Sequence, residues 1–310
     1  MAKRAAWLRF GLPGLAATLL VAAAAVWIYH RYSMPALARG TILRVGMQES
    51  PPWYFLRSGN VVAGPAHEIV EEAARRRGMS VKWMVDEAGP AHALDKKLAD
   101  IWPLMGRLPD RVSKYAISAS WLDLSYYLAV PRACTSAGPA MAPQSIAHRG
   151  TEVTGSIVAK QFPGIRRVKV ASHAEALRAA CAGSAEAALV TDLAPNGGAL
   201  AAPLECMQEG VCLNIQPVSV VEFGVGVRPG SVQARAGAIA LRAEIDRMID
   251  DGTLGGIFLR WGVPSGEIRA LRAARLARTR ANLLGATSAG LLLLLAVLAA
   301  VYGRLLRAGR

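Results

Sequence analysis

Apolar residues change their spacing in an ordered way between residues 41 and 265. In "TILRVGMQ", Leu43, Val45 and Met47 alternate with Arg44 and Gly46, the two-residue period of a strand with one buried face. "GPAHEIVEEAARRRG" then places Ala66, Ile69, Val70, Ala73 and Ala74 at helical spacing, with Glu71 and Glu72 four residues ahead of Arg75 and Arg76. Gly78 is positioned to end this helix, and "MSVKWMV" returns to strand, which completes a β-α-β unit. A second unit follows Pro163. "RRVKV" reads as a strand, Ser172 and Glu175 form a capping-box signature opening "SHAEALRAACAG", and "EAALV" reads as a short buried strand. Two α/β lobes are the expected architecture. The stretch closes with two helical stripes, Leu241, Ile245, Met248 and Ile249, then Leu254, Ile257, Phe258 and Trp261, separated by the breaker "DDGT".

The pattern changes at both ends. Lys3, Arg4 and Arg9 precede an apolar run from Phe10 to Tyr29, long enough to cross a bilayer as a helix. Ala36-Leu37-Ala38 has the form of a signal-peptidase site but stands too far from the apolar run, so an uncleaved anchor over 1–40 is favoured over a cleaved leader. A second apolar run covers 282–303, ahead of a stub over 304–310. Residues 266–281 carry Arg269, Arg272, Arg275 and Arg278 three apart, and after Gly266 no Pro or Gly interrupts until Gly285, which predicts a basic juxtamembrane helix, a rod leading into the second span. Two spans put both termini on one side of a membrane and the domain over 41–265 on the other.

Charge follows the same division. The net charge is +14, yet Thr41 to Ser265 holds 23 Lys and Arg against 21 Asp and Glu. The excess therefore sits beside the expected spans, where it suits anionic membrane lipid, and nucleic acid is not an expected partner. Signatures of catalysis are also missing. The five histidines are scattered with no His-Glu-x-x-His, "FGVGVRPG" lacks the third glycine of a dinucleotide loop, and no Gly-x-Ser-x-Gly elbow occurs. The expectation is a non-enzyme without metal or cofactor.

Four segments in order resemble the family 3 extracellular solute-binding proteins, the polar amino-acid receptor type: "LRVGMQESPPWYF" with "GNVVAGPAHEIVEEAARRRGMSVKW", then "LADIWPLMGRLPDRVSKYAISASWL", "FGVGVRPGS" and "DDGTLGGIFLRWG". The resemblance covers roughly Thr41 to Val263. It implies a two-lobed periplasmic-binding-protein fold of type II, α/β, with lobe 1 over about 41–131 and 222–265 and lobe 2 over about 132–221. Two crossover strands would join the lobes near Leu128 to Arg132 and Val218 to Phe223, with ligand in the cleft between them. It also implies a bacterial cytoplasmic-membrane protein with its main domain outside.

By the same resemblance Arg111 is the ligand arginine, a planar guanidinium suited to a carboxylate. Trp53 and Tyr54, after Pro51-Pro52, are the aromatic cleft wall, core packing being the competing role. Trp121 is expected in the core. The sequence departs from the amino-acid receptors at Gly106 and Leu108, where hydroxyl residues are usual. The acidic residue expected to grip an ammonium falls at Thr191, with Asp192 one place off. Cys134, Cys181, Cys206 and Cys212 all lie in or beside lobe 2, and a local Cys206–Cys212 disulfide across "MQEGV" is expected among several possible pairings.

The leading functional expectation is a membrane-tethered sensor that binds a small ligand and signals to a membrane partner such as a kinase or cyclase. The alternatives are a tethered binding component delivering solute to an ABC permease, and a scaffold or adaptor whose cleft is unoccupied.

Overall fold

The structure is a computed structural model described over residues 42–57, 61–133, 142–191, 206 and 211–263, with scattered helical positions between 273 and 302. The described residues begin with β1 (Ile42–Met47), a separate two-stranded hairpin of β2 (Phe55–Arg57) and β3 (Val61–Ala63), α1 (Pro65–Arg76) and β4 (Ser80–Val85). β4 lies parallel to β1 with Leu43 opposite Val81 and Val45 opposite Trp83. All five apolar residues of the α1 stripe are buried. Pro65 opens this helix with its preset φ. Gly64 before it has φ 123°, and a Cβ there would strike the Trp53 carbonyl, so only glycine can hold the helix start against the loop carrying Trp53 and Tyr54.

The chain continues through α2 (Pro90–Asp95), β5 (Ile101–Gly106), α3 (Pro109–Val112) and β6 (Ala116–Ile117) into the long β7 (Leu122–Ala133). The second half holds β8 (Ser145–Arg149), α4 (Glu152–Gln161), β9 (Arg166–Val170), α5 (His173–Cys181) and β10 (Ala187–Thr191). The Ser172 hydroxyl accepts from the Glu175 amide at 3.1 Å, and the Glu175 carboxylate accepts from the Ala171 amide at 2.9 Å, so the α5 cap is reciprocal. β11 (Val211–Val227) returns to the first half, which α6 (Val232–Asp250) and α7 (Thr253–Arg260) complete.

The strand order is β4-β1-β5-β11-β7-β10-β8-β9, with β6 attached to β11. β7 and β11 are antiparallel from Ala133 opposite Val211 to Leu122 opposite Phe223, with one irregularity between Pro217 and Ser219. Phe223 to Val227 pair with β5 in lobe 1, while Tyr126 to Ala129 pair with β10 in lobe 2. The same two strands thus serve both lobes, and they form the connection between them.

The closing helices bury Leu241, Ile245, Met248, Ile249, Leu254, Ile257 and Phe258, and Gly252, at φ 85°, makes the break between them. These residues share one core with β1, β5 and α1.

The expected Cys206–Cys212 disulfide is not formed. Cys206 is bonded to Cys181, with 5.2 Å between the Cα atoms. The reason is the strand ladder: Cys212 is held in β11 opposite Arg132, while Cys206 packs into the lobe 2 core with Leu177 and Ala180 of α5. Cys212 is itself disulfide-bonded. The apolar run at 10–29 and most of 282–303 lie outside the described residues; Leu283, Leu284, Leu291 and Leu295 are helical and exposed. Among the described residues, no helix is long and apolar enough to cross a membrane.

Candidate functional site

A cleft of about 970 Å³, its open mouth included, separates the two lobes. Its position follows from the topology. The parallel strands β1, β5, β8 and β10 all point their carboxyl ends toward it, so the loops after them line its walls. Leu124, Tyr126 and Phe223 of the crossing strands line it as well.

Lobe 1 supplies the loop from Gln48 to Tyr54. The Pro51-Pro52 bond in this loop is cis, and Trp53 and Tyr54 both line the cleft. Each also belongs to the core. The Trp53 ring meets Phe258 edge-on at 5.7 Å, and Tyr54 meets Trp83 in the same manner at 5.7 Å. Wall and core, the two roles expected of these residues, are one position here. The Tyr54 hydroxyl is buried and has no hydrogen-bond partner among the described residues, and burial pushes its pKa up. The loop is tied to its neighbour by two bonds, Gln48 Nε2 to the Glu87 carbonyl at 3.0 Å and the Glu49 amide to Glu87 Oε1 at 3.1 Å. Trp121 lies in the core, its indole donating to the Pro103 carbonyl at 2.8 Å.

Arg111 lines the cleft on α3 and its side chain is only 4% exposed. Its guanidinium is engaged across the gap. Nε and Nη2 reach Glu152 Oε2 of lobe 2 at 3.2 and 2.5 Å, and Nη1 reaches the Gly106 carbonyl at 3.5 Å. Glu152 is the first residue of α4, where a negative charge also answers the helix dipole. At Gly106 a Cβ would come within 3.1 Å of Val153, so the missing hydroxyl position is also a point of close approach between the lobes. Leu108 is buried beside it.

Lobe 2 adds a second cation that the sequence reading did not select. Arg149 ends β8, and its Nη1 donates to Ser50 Oγ at 2.6 Å while Nη2 donates to the Glu49 carbonyl. Burial lowers its pKa; Tyr126, Glu87 and Glu49 oppose that shift. His173 stands close by, with its ring 6.3 Å from that of Tyr126 and Nδ1 3.4 Å from the Leu189 carbonyl. Its pKa is pushed down to about 4, first by burial and then by the Arg149 charge. Thr191 is buried at the end of β10 and lines the cleft, whereas Asp192 lies outside the described residues. A signal for Arg149 was present in "IAHRGTEVTG", a strand running into a Thr-capped helix, because that junction is where such folds face their clefts.

No protein family profile matches the sequence, and no curated protein does. Solved structures do match in fold. A mutant of the arginine-binding protein ArgBP from T. maritima is 20% identical with a TM-score of 0.54, the match covering 71% of this chain and 94% of that one. A histidine kinase sensor domain with similarity to periplasmic binding proteins is 18% identical at TM-score 0.54, over 72% and 96%. A periplasmic His/Glu/Gln/Arg/opine family-binding protein from Silicibacter pomeroyi, in complex with lysine, is 20% identical at 0.54, over 71% and 96%. The lobes, the shared strands and these likenesses agree: this chain has the two-lobed α/β fold of the periplasmic binding proteins.

Proposed function

We propose that the chain is a membrane-tethered solute sensor whose extracytoplasmic domain binds a small ligand between its lobes and signals to a membrane partner. The observation that carries this reading is the cleft itself, in which two arginines, a histidine and buried hydroxyl groups converge from both lobes onto an apolar floor. The likeness to a kinase sensor domain supports a sensing role. The apolar runs at 10–29 and 282–303, with the basic residues around them, support the tether and a position of the domain outside the cytoplasmic membrane. On this reading the chain binds its ligand and does not transform it.

A second reading, a binding component for an importer, is favoured by likeness to free-standing binding proteins at the same TM-score of 0.54. Both readings require an occupied cleft. Calorimetry of the full chain in detergent against amino acids and organic acids tests this. At least one compound is expected to bind and to be lost on Thr191→Trp, which fills the cleft wall. Compounds that bind equally to this variant would place the site elsewhere and overturn the reading.

A further inference from the structure

We infer that the cleft reads a ligand's negative charge at Arg149, because the anion site of Arg111 is already filled by the protein's own Glu152. This rests on the cleft being a ligand site, as proposed above. Arg111 directs Nε and Nη2 to one carboxylate oxygen and Nη1 to a backbone carbonyl, so each arm of the guanidinium has an acceptor within the chain. A ligand carboxylate would have to compete for this buried cation with Glu152, an acid tethered beside it at the start of α4. Arg149 is in the opposite condition. Its described partners are a hydroxyl and a backbone carbonyl, both neutral, and among the described residues no carboxylate forms an ion pair with it. Glu87 and Glu49 act on Arg149 through their charge but their carboxylates do not bond to it: Glu49 Oε1 accepts from the Leu56 amide at 3.3 Å and Glu87 Oε1 from the Glu49 amide at 3.1 Å. A guanidinium has five N–H donors, so Arg149 has capacity left for an anion. His173 beside it is held neutral and adds no second positive charge, so the cationic group at this end of the cleft is Arg149. Trp102, Leu104, Leu124 and Phe223 give the cleft an apolar stretch of wall beside the polar Gln48, Glu87, Thr151 and Thr191. The ligand class that fits is an organic acid, one carboxylate at Arg149 with an apolar body against that apolar stretch.

Two acid and amide pairs of nearly equal shape test this: phenylacetate with phenylacetamide, and hexanoate with hexanamide. Binding to the full chain in detergent is followed by tryptophan fluorescence. Charge-assisted hydrogen bonds predict that each acid binds about ten- to a hundredfold more tightly than its amide. Arg149→Gln is expected to erase this gap by weakening the acids more than the amides, and Arg149→Lys, which keeps the charge, to retain part of it. The double variant Arg111→Gln with Glu152→Gln, which removes the internal pair without orphaning a charge, is expected to preserve the gap. A gap that survives Arg149→Gln, or disappears in the double variant, overturns the assignment and returns charge reading to Arg111. Amides that bind the wild type as well as the acids overturn it too, while leaving the cleft as a ligand site. Failure of all four compounds to bind overturns the organic-acid assignment; the cleft reading falls with it when no amino acid or organic acid of the calorimetric panel binds either.

Discussion

Burial sets the protonation of the histidines at and near the cleft. His173, His148 and His67 all have pKa values lowered chiefly by desolvation, and His148 Nε2 is buried with no partner. Each gains a proton more readily in the unfolded chain, so stability is full above about pH 6.5 and falls as the pH drops toward the folded pKa, which for His173 is about 4. His173 alone accounts for a loss of up to about 3 kcal/mol across that window. Thermal melts at pH 7.5 and 5 should therefore show a lower midpoint in acid, and His173→Phe should reduce the difference; an unchanged pH dependence would remove His173 from this role. The same residues mark what the sequence could show. Arg111 was legible from the segment around "LPDR". Its partner was not, because Glu152 lies 41 residues away in the other lobe and reaches Arg111 only once the lobes face each other. Arg149 was overlooked because a basic residue at a strand end reads as solvated unless the position of the cleft is known.

At the scale of elements, legibility tracks periodicity. The closing helices were plain from their stripes, since every residue of each stripe is buried except the half-buried Trp261. The crossing strands were harder to delimit. Ile215, Gln216, Pro217 and Val220 are exposed in β11, so the strand loses its alternation where it passes between lobes. The disulfide error has a similar origin, because short sequence separation does not bring together two cysteines that separate elements hold apart. The bond actually formed ties the end of α5 to Cys206 across 25 residues. Loop-closure entropy puts the contribution of such a crosslink at about 2–4 kcal/mol. Cys206→Ser should lower the melting temperature of the full chain by several degrees, and reductant should lower the wild type by more than the variant, in which only the bond of Cys212 is left to break. A midpoint unmoved by either treatment would show that the lobe 2 core holds α5 without the bond.

For the whole molecule, the fold was legible because patterns of both kinds, strand alternation and helical stripes, recurred in the order a two-lobed α/β domain requires. Its placement is a matter for experiment. Alkaline phosphatase fused after Val263 is expected to be active, and a fluorescent protein fused at Arg310 to be bright, if the domain lies outside with both ends inside; an inactive phosphatase fusion would reverse the orientation. The attachment of the lobes then bears on how a bound ligand could be noticed. β1, the first described element, and α7, after which the chain departs, both belong to lobe 1 and share its core. Among the described residues the backbone passes to lobe 2 and back through β7 and β11. If the chain is tethered at both ends as proposed, lobe 1 is the mount and lobe 2 the arm, and a swing of the arm leaves the separation of the two mooring points unchanged. A pull along either mooring line carries no news of occupancy; a companion protein has to rest against the arm, or span arm and mount, to register it.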